Sequence, residues 1–335
     1  MPAARALSTV QLVNGSTGDP LLYLDYPGSD NALLFDAGES CRLTMKQLAD
    51  LEAVFLTHHH IDHFVGFDRI LRANLDHDKT LVIVGPPRTI ERVYARATAY
   101  DHSFFPFMKL ELEVRELHGG FLRIGRFGCA GKFAAPVVTE EPWSTPICYR
   151  TNALHVEAVP VVHTVPCFAY ALVEAGGWHP DPDKLAVGSL KPGAWVAATL
   201  ELLRSNADMA AEVTIDGGSR KLGDLAERYF TQTAGARIAY ITDTLLTDEL
   251  RPSLVKLAKN AAFLYCDSFY ASSQSKDAAK HKHMMTHQAA ELAKAAKVDQ
   301  LILIHHATRY AGRYEALLAE AAAIFPRVRH ELSPG

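Results

Sequence analysis

The chain has 335 residues, 48% of them hydrophobic and 21% charged, with 34 Lys and Arg against 38 Asp and Glu for a formal charge of −4. These values exclude a disordered chain, a collagen-like repeat and a coiled coil, and leave nucleic-acid binding only to a local basic patch. At about 150 residues per domain, the length allows two domains or one large sandwich or barrel with an insertion.

Strand signals come first, at residues 9–13, 21–24, 32–35 and 53–56, separated by Gly, Asp and Pro. Between the last two, Thr44 followed by Gln47 marks the capping box of a short helix. Apolar spacing at Phe64, Phe67, Ile70 and Leu71 predicts a helix over 63–73; a strand at 81–84 and a helix at 89–98 follow. More strands run to about residue 174, including 154–162 and 168–173. Composition then shifts: 178–232 carries Pro180, Pro182, Pro192 and several glycines around a helical stretch at 195–203, and reads as an inserted arm projecting from the main body. A strand–helix rhythm returns with strands at 237–241, 263–265 and 301–304, and helices near 250–259, over 286–297 and through 324. Many strands in each half with helices interleaved predict two packed sheets covered by helices, an α/β four-layer αββα sandwich. The five cysteines stand singly with no CxxC pair, residues 1–10 hold no apolar stretch of signal-peptide length, and no run approaches a membrane span; the expectation is a soluble cytoplasmic protein.

The strongest local signal is Thr57-His58-His59-His60-Ile61-Asp62-His63, directly after an apolar strand. Residues two apart on an extended chain face the same way, so His58 and His60 converge on one point while His59 faces away. Asp62 and His63 follow where the chain turns into a helix and face a second point. Imidazole and carboxylate are ligands for zinc, manganese or iron. Further ligands are expected at strand ends, where His163, Asp243 and His305 each arrive as the polar residue after an apolar run; a core histidine or a helix-capping aspartate is the ordinary alternative for each.

Taken together, these motifs resemble the metallo-β-lactamase superfamily, and within it the ribonuclease Z family. The resemblance runs from about Val13 to Arg329. It is carried by Asn14-Gly15-Ser16-Thr17-Gly18-Asp19-Pro20, Phe35-Asp36-Ala37-Gly38-Glu39, the 58–63 cluster, His163 to Tyr170 and Thr242-Asp243-Thr244. His283-Met284-Met285-Thr286-His287-Gln288-Ala289-Ala290 and Leu303-Ile304-His305-His306-Ala307-Thr308-Arg309-Tyr310 are the segments that favour ribonuclease Z. The resemblance implies one metallo-β-lactamase-fold domain over 1–335. It selects His163 over His155, His283 over His281 and His287, and His305 over His306. It also implies two divalent cations, zinc foremost with manganese or iron compatible. His58, His60, His163 and Asp243 would hold one; Asp62, His63, His305 and the shared Asp243 would hold the other.

The function implied is a dinuclear-metal phosphodiesterase that hydrolyses the 3′ side of precursor tRNA, working as a homodimer on RNA with no membrane partner. Asp62 would orient or deprotonate the nucleophile. His283 would donate a proton to the leaving oxygen, unless it is a surface histidine before a Thr286 N-cap. Arg309 is either a phosphate clamp or half of a structural salt bridge. Asp36 is expected to hold the metal loop by hydrogen bonds rather than to touch a metal. Arg72, Lys79, Arg88, Arg92, Arg96, Lys276, Lys280 and Lys282 are candidate nucleic-acid contacts or solvated faces, and Phe104-Phe105-Pro106-Phe107 is a core or dimer contact.

Some features depart from the family. Ala194 stands where the arm's Gly-Pro motif would have proline, Ala307 replaces a serine, and Ile241-Thr242-Asp243 lacks the glycine before the aspartate. From Pro180 to Gly235, six basic residues face eight acids, whereas an arm that holds phosphates should be basic. These departures support a second reading, a phosphodiesterase for a cyclic nucleotide or other small diester. A non-catalytic metal-binding scaffold is the third.

Overall fold

Runs with almost no polar face, such as LEAVF at Leu51–Phe55 and QLILI at Gln300–Ile304, are what strands covered on both sides require. In the computed structural model, which describes residues 9–25, 32–101, 107–215, 217–233 and 235–331, these runs form two large sheets. The first takes its strands in chain order: β1 (Thr9–Leu12), β2 (Leu22–Asp25), β3 (Ala32–Phe35), β4 (Leu51–Phe55), β5 (Thr80–Gly85), β6 (Glu111–Leu117), β7 (Phe121–Gly128) and β8 (Val137–Pro142). Within it β3 to β6 are parallel.

The second sheet begins with β9 (Ile147–Arg150), β10 (Leu154–Val161) and β11 (Cys167–Glu174). The chain then builds a separate compact unit over Val173–Ala236, which also takes in residues 152–154. Its elements are β12 (Gly177–Pro180), β13 (Glu212–Ile215), β14 (Gly218–Lys221) and β15 (Phe230–Thr233) with three helices, Pro182–Val187, Ala194–Arg204 and Leu222–Tyr229. Trp195, Leu203, Leu222, Leu225, Tyr229 and Phe230 form an apolar core of its own, and the Trp195 indole donates to the Lys191 carbonyl at 2.8 Å. The second sheet resumes with β16 (Arg237–Ile241), β17 (Phe263–Asp267), β18 (Gln300–Ile304) and β19 (Val328–His330), all parallel. Its strand order is β19-β18-β17-β16-β11-β10-β9.

Each sheet is covered by helices on one face. Leu48, Phe67, Ile70 and Val93, from helices Met45–Ala49, Phe67–Asn74 and Thr89–Ala97, bury against Leu34, Val54, Ile83 and Val114 of the first sheet. Leu254, Leu257, Ala289, Ala293 and Ala321, from helices Arg251–Leu257, Thr286–Ala296 and Tyr314–Ala322, bury against Ala239, Leu264, Leu301 and Leu303 of the second. The other faces meet through aromatics: Phe35 lies 5.9 Å from Tyr170 and 5.8 Å from Tyr240, ring to ring, and the Tyr170 hydroxyl donates to the Leu56 carbonyl at 2.8 Å. Helix, sheet, sheet, helix is the four-layer order expected from the sequence. Full burial of each large apolar side chain contributes about 1.5–3 kcal/mol.

Two local expectations change. The helix predicted over 63–73 is a 3₁₀ turn at Ile61–His63 followed by a helix from Phe67. The break has a tertiary cause: Ala37 donates its N–H to the His63 carbonyl, and Gly66 donates to the Ala37 carbonyl, so this stretch is tied to the Asp36-Ala37-Gly38 turn. Thr286 is the first helical residue rather than the cap, which is Met285; Thr286 is buried and its hydroxyl donates to the Tyr270 carbonyl. The Thr44–Gln47 capping box forms as expected. Residues 104–106 of the aromatic group lie outside the described residues, and Phe107 is 73% exposed.

Candidate metal centre

Open parallel sheets present their loops at the carboxyl ends of the strands, and that is where the polar residues cluster. Asp36 follows β3, Thr57 to His63 follow β4, Asp243 follows β16, Asp267 ends β17 and His305 follows β18. Register brings the last three together, because Ile241 pairs with Cys266 and Asp267 with Ile304. Asp36, Asp243 and His305 all have left-handed backbone, with φ of 57°, 48° and 58°. A non-glycine residue there costs on the order of 1–2 kcal/mol, a strain that proteins keep where a side chain must be aimed. Gly38 answers a different need. A Cβ on it would sit 2.6 Å from Asp19 Cβ and 2.7 Å from the Asp62 carbonyl oxygen, so only glycine lets this turn approach the 58–63 loop.

The structure brings all seven predicted ligand side chains together. His58, His60 and His163 present ring nitrogens within 4.8 Å of one another, and an Asp62 carboxylate oxygen lies equally close to ring nitrogens of His63 and His305. Asp243, fully buried, stands between the two sets. Its Oδ2 is 2.6 Å from His63 Nε2 and 3.5 Å from His58 Nε2, and its Oδ1 is 2.7 Å from His305 Nδ1. The rings are held from behind. His63 Nδ1 donates to Asp36 Oδ2 at 2.8 Å, and His58 Nδ1 lies 3.1 Å from the Thr57 hydroxyl, which itself donates to Asp36. Asp36 thus braces the loop from behind, as expected. His163 Nδ1 donates to the Lys282 carbonyl at 3.2 Å, which turns Nε2 toward His60 Nδ1 at 3.4 Å, while Lys282 Nζ donates back to the His163 carbonyl. Such backing bonds set the tautomer and leave the other ring nitrogen as the ligand atom.

The residues fit a metal. His58 Nε2, His63 Nε2, His305 Nδ1 and both carboxylate oxygens of Asp243 are buried with no hydrogen-bond partner among the described residues. Buried polar atoms are otherwise almost always paired. These atoms lie close without hydrogen-bond geometry, as lone pairs aimed at a shared point do. Electrostatics agree. Burial raises the Asp243 pKa, but His305 and His63 outweigh it and hold the carboxyl well below its ordinary range. Burial lowers His63 and His305, but the carboxylates of Asp36 and Asp243 lift His63 well above 6.5, and Asp243 and Asp62 lift His305 to about 9. Protons here do what cations would do, offsetting buried negative charge.

Asp267 is the site residue that sequence reasoning missed. It is fully buried, with Oδ2 3.1 Å from His283 Nδ1, and His283 Nδ1 also lies 3.2 Å from Asp243 Oδ1. The signal was available: Asp267 ends an apolar run as Asp243 and His305 do. Burial lowers the His283 pKa, but Asp267 and Asp243 together lift it to about 10. Arg309 does not join the cluster. Its Nη1 pairs with Asp277 at 3.0 Å and its guanidinium lies 5.2 Å over the Tyr270 ring, so of its two expected roles the salt bridge is the one observed. Lys79 is likewise engaged, donating to the Ala49 and Leu51 carbonyls.

His59 faces away, 3.0 Å from the Thr89 hydroxyl, and His306 sits between the Ser268 hydroxyl and carbonyl. Burial, with Arg92 and Arg88 adding to it, pushes His59 down to about 3, and burial pushes His306 down to about 4. Both rings stay neutral in the fold while the unfolded chain takes up protons below about pH 6.5. The contribution of these two rings to stability is therefore complete above pH 6.5 and falls as pH drops toward 4, by about 1.4 kcal/mol per pH unit for each ring. His306→Gln should make that slope shallower by one ring's share; urea midpoints of chelator-treated protein between pH 6.5 and 4.5 measure it, and an unchanged slope would exclude the ring.

A beta-lactamase superfamily domain model matches residues 31–169. Ribonuclease Z of Deinococcus radiodurans is 31% identical over 302 residues, covering 89% of this chain and 89% of that protein. Ribonuclease Z of Treponema denticola is 26% identical, covering 88% of this chain and 84% of its own length. The metallo-beta-lactamase fold protein YhfI from Bacillus subtilis superposes with a TM-score of 0.55 at 18% identity, covering 95% of this chain and 92% of its own. The short form of human tRNase Z superposes with a TM-score of 0.51 at 16% identity, covering 90% and 93%. The fold is the metallo-β-lactamase fold, and the chain belongs to the ribonuclease Z family of that superfamily.

Proposed function

We propose that this chain is a metal-dependent phosphodiesterase of the ribonuclease Z type, hydrolysing the 3′ side of precursor tRNA with two divalent cations. One observation carries it: seven side chains spread from His58 to His305 converge with five buried polar atoms lacking hydrogen-bond partners. His58, His60, His163 and Asp243 would hold one cation, and Asp62, His63, His305 and Asp243 the other. When bound, such cations, zinc foremost, offset the charge of a phosphodiester and lower the pKa of water.

The chain's own residues do the rest. Burial raises the Asp62 pKa, but His305 and His63 overcome it, so the carboxylate stays ionised; with its side chain 35% exposed, it can meet substrate and accept the proton of the attacking water. His283 Nδ1 is held by Asp267, which leaves Nε2 to donate a proton to the leaving oxygen. Asp267 is thus a positioning residue for His283. The unit Val173–Ala236 corresponds to the family's arm, and the same resemblance supports a homodimer in the cytoplasm.

A cleavage assay tests the reading. Zinc- or manganese-loaded protein should shorten a 3′-extended precursor tRNA, and chelation or Asp62→Ala should abolish this. The six basic against eight acidic residues between Pro180 and Gly235 favour a second reading, a small-diester hydrolase. Loaded protein that leaves the RNA intact yet opens bis-p-nitrophenyl phosphate would decide for that one.

A further inference from the structure

The helix Thr89–Ala97 begins after Arg88 and carries Arg92 and Arg96, four residues apart and so on one face. Arg92 and Arg96 line a cavity of ≈ 340 Å³ beside His60, with Ile61 and Phe64 among its other walls. The three guanidiniums differ in what they meet. Arg88 pairs with Glu91 at 2.8 Å; Arg96 pairs with Asp68 at 2.8 Å and lies 5.6 Å over the Phe64 ring. Arg92 forms no ion pair among the described residues, and its Nε is buried with no hydrogen-bond partner. A guanidinium cannot shed its charge, and a buried donor without a partner is costly. Beside it Ile61, between His60 and Asp62, is a large apolar side chain left 77% exposed.

A cation without an ion-pair partner among the described residues and an exposed apolar side chain, both next to the proposed phosphodiester centre, match a ligand with one anionic group and one planar ring. We propose that this cavity is a subsite for the nucleotide adjoining the scissile bond, with Arg92 binding its backbone phosphate and Ile61 packing against its base. The inference rests on the phosphodiesterase reading and adds to it where the strand lies. Arg suits the task because its planar fork gives two parallel bonds to a phosphate.

Steady-state cleavage of 3′-extended precursor tRNA by metal-loaded wild type, Arg92→Met and Arg92→Lys tests it. Arg92→Met should raise KM about 10- to 100-fold with kcat changing less than about threefold. The slope of log KM against log salt should be shallower by about 1, and Arg92→Lys should recover most of the loss. A loss confined to kcat, or an unchanged KM and salt slope, would overturn the subsite. If wild type cleaves no RNA, the tRNA reading falls separately, and inhibition of bis-p-nitrophenyl phosphate hydrolysis by a nucleoside 5′-monophosphate then decides. Inhibition weakened about tenfold or more in Arg92→Met supports the subsite; equal inhibition of both proteins overturns it.

Discussion

Asp243→Asn is expected to strip the protein of its cations and to cut phosphodiester hydrolysis by about 10³-fold or more. The carboxylate touches both ligand groups, through Oδ2 to His63 and His58 and through Oδ1 to His305, and it is the only carboxylate doing so among the described residues. Asn keeps the volume but removes the charge, and it turns an amide N–H₂ toward imidazole lone pairs or leaves one of them facing nothing. Removing one partner from a buried charge set costs about 3–5 kcal/mol, or about 10²- to 4 × 10³-fold in affinity at about 1.4 kcal/mol per factor of ten. Metal content of dialysed protein by elemental analysis, beside circular dichroism to verify folding, reads the result. A folded Asp243→Asn protein that keeps its full metal content would remove Asp243 from the ligand set.

His283→Ala should act differently: kcat lower by about 10²- to 10⁴-fold, the range of general acid catalysis, with metal content unchanged. The distinction matters because Asp243, Asp267, His283 and His305 could together hold an ion. Loss of metal on His283→Ala would make His283 a ligand and overturn its assignment as proton donor. The pH profile adds a second readout. Without cations Asp267 and Asp243 lift His283 to about 10; with cations on Asp243 the Asp267 carboxylate is the charge that still raises it, so a donor role makes kcat fall on the alkaline side. Asp267→Asn, by removing the first of those charges, should move the fall to lower pH.

Much of the centre could be read from local pattern. His58 and His60 converge because side chains two apart on extended chain share a face, and His59 turns to Thr89 for the same reason. Asp243 and His305 stand out as polar residues closing apolar runs. Asp267 follows the same rule, but an apolar run read only over Phe263–Tyr265 stops before Cys266 and leaves Asp267 off its end. Local pattern marked Asp36 as the brace of the metal loop, 27 residues from His63, but was silent on the Lys282 carbonyl behind His163, 119 residues away. Arg309 shows the limit most plainly, since its charge suits a phosphate as well as it suits Asp277, and only proximity chose.

The sequence by itself determined the four-layer fold and the 58–63 cluster, because both follow from short-range periodicity, and it marked His163, Asp243 and His305 as polar residues where apolar runs stop, with the family resemblance choosing them over their neighbours. The tertiary structure alone decided which nitrogen of each imidazole is bare, that Asp267 holds His283, that the helix breaks before Phe67, and that Arg92 is left beside a cavity while its neighbours are paired. Each of these depends on a partner brought close by the packing of two sheets, and the distance between residues far apart in the chain is not encoded in any window of it.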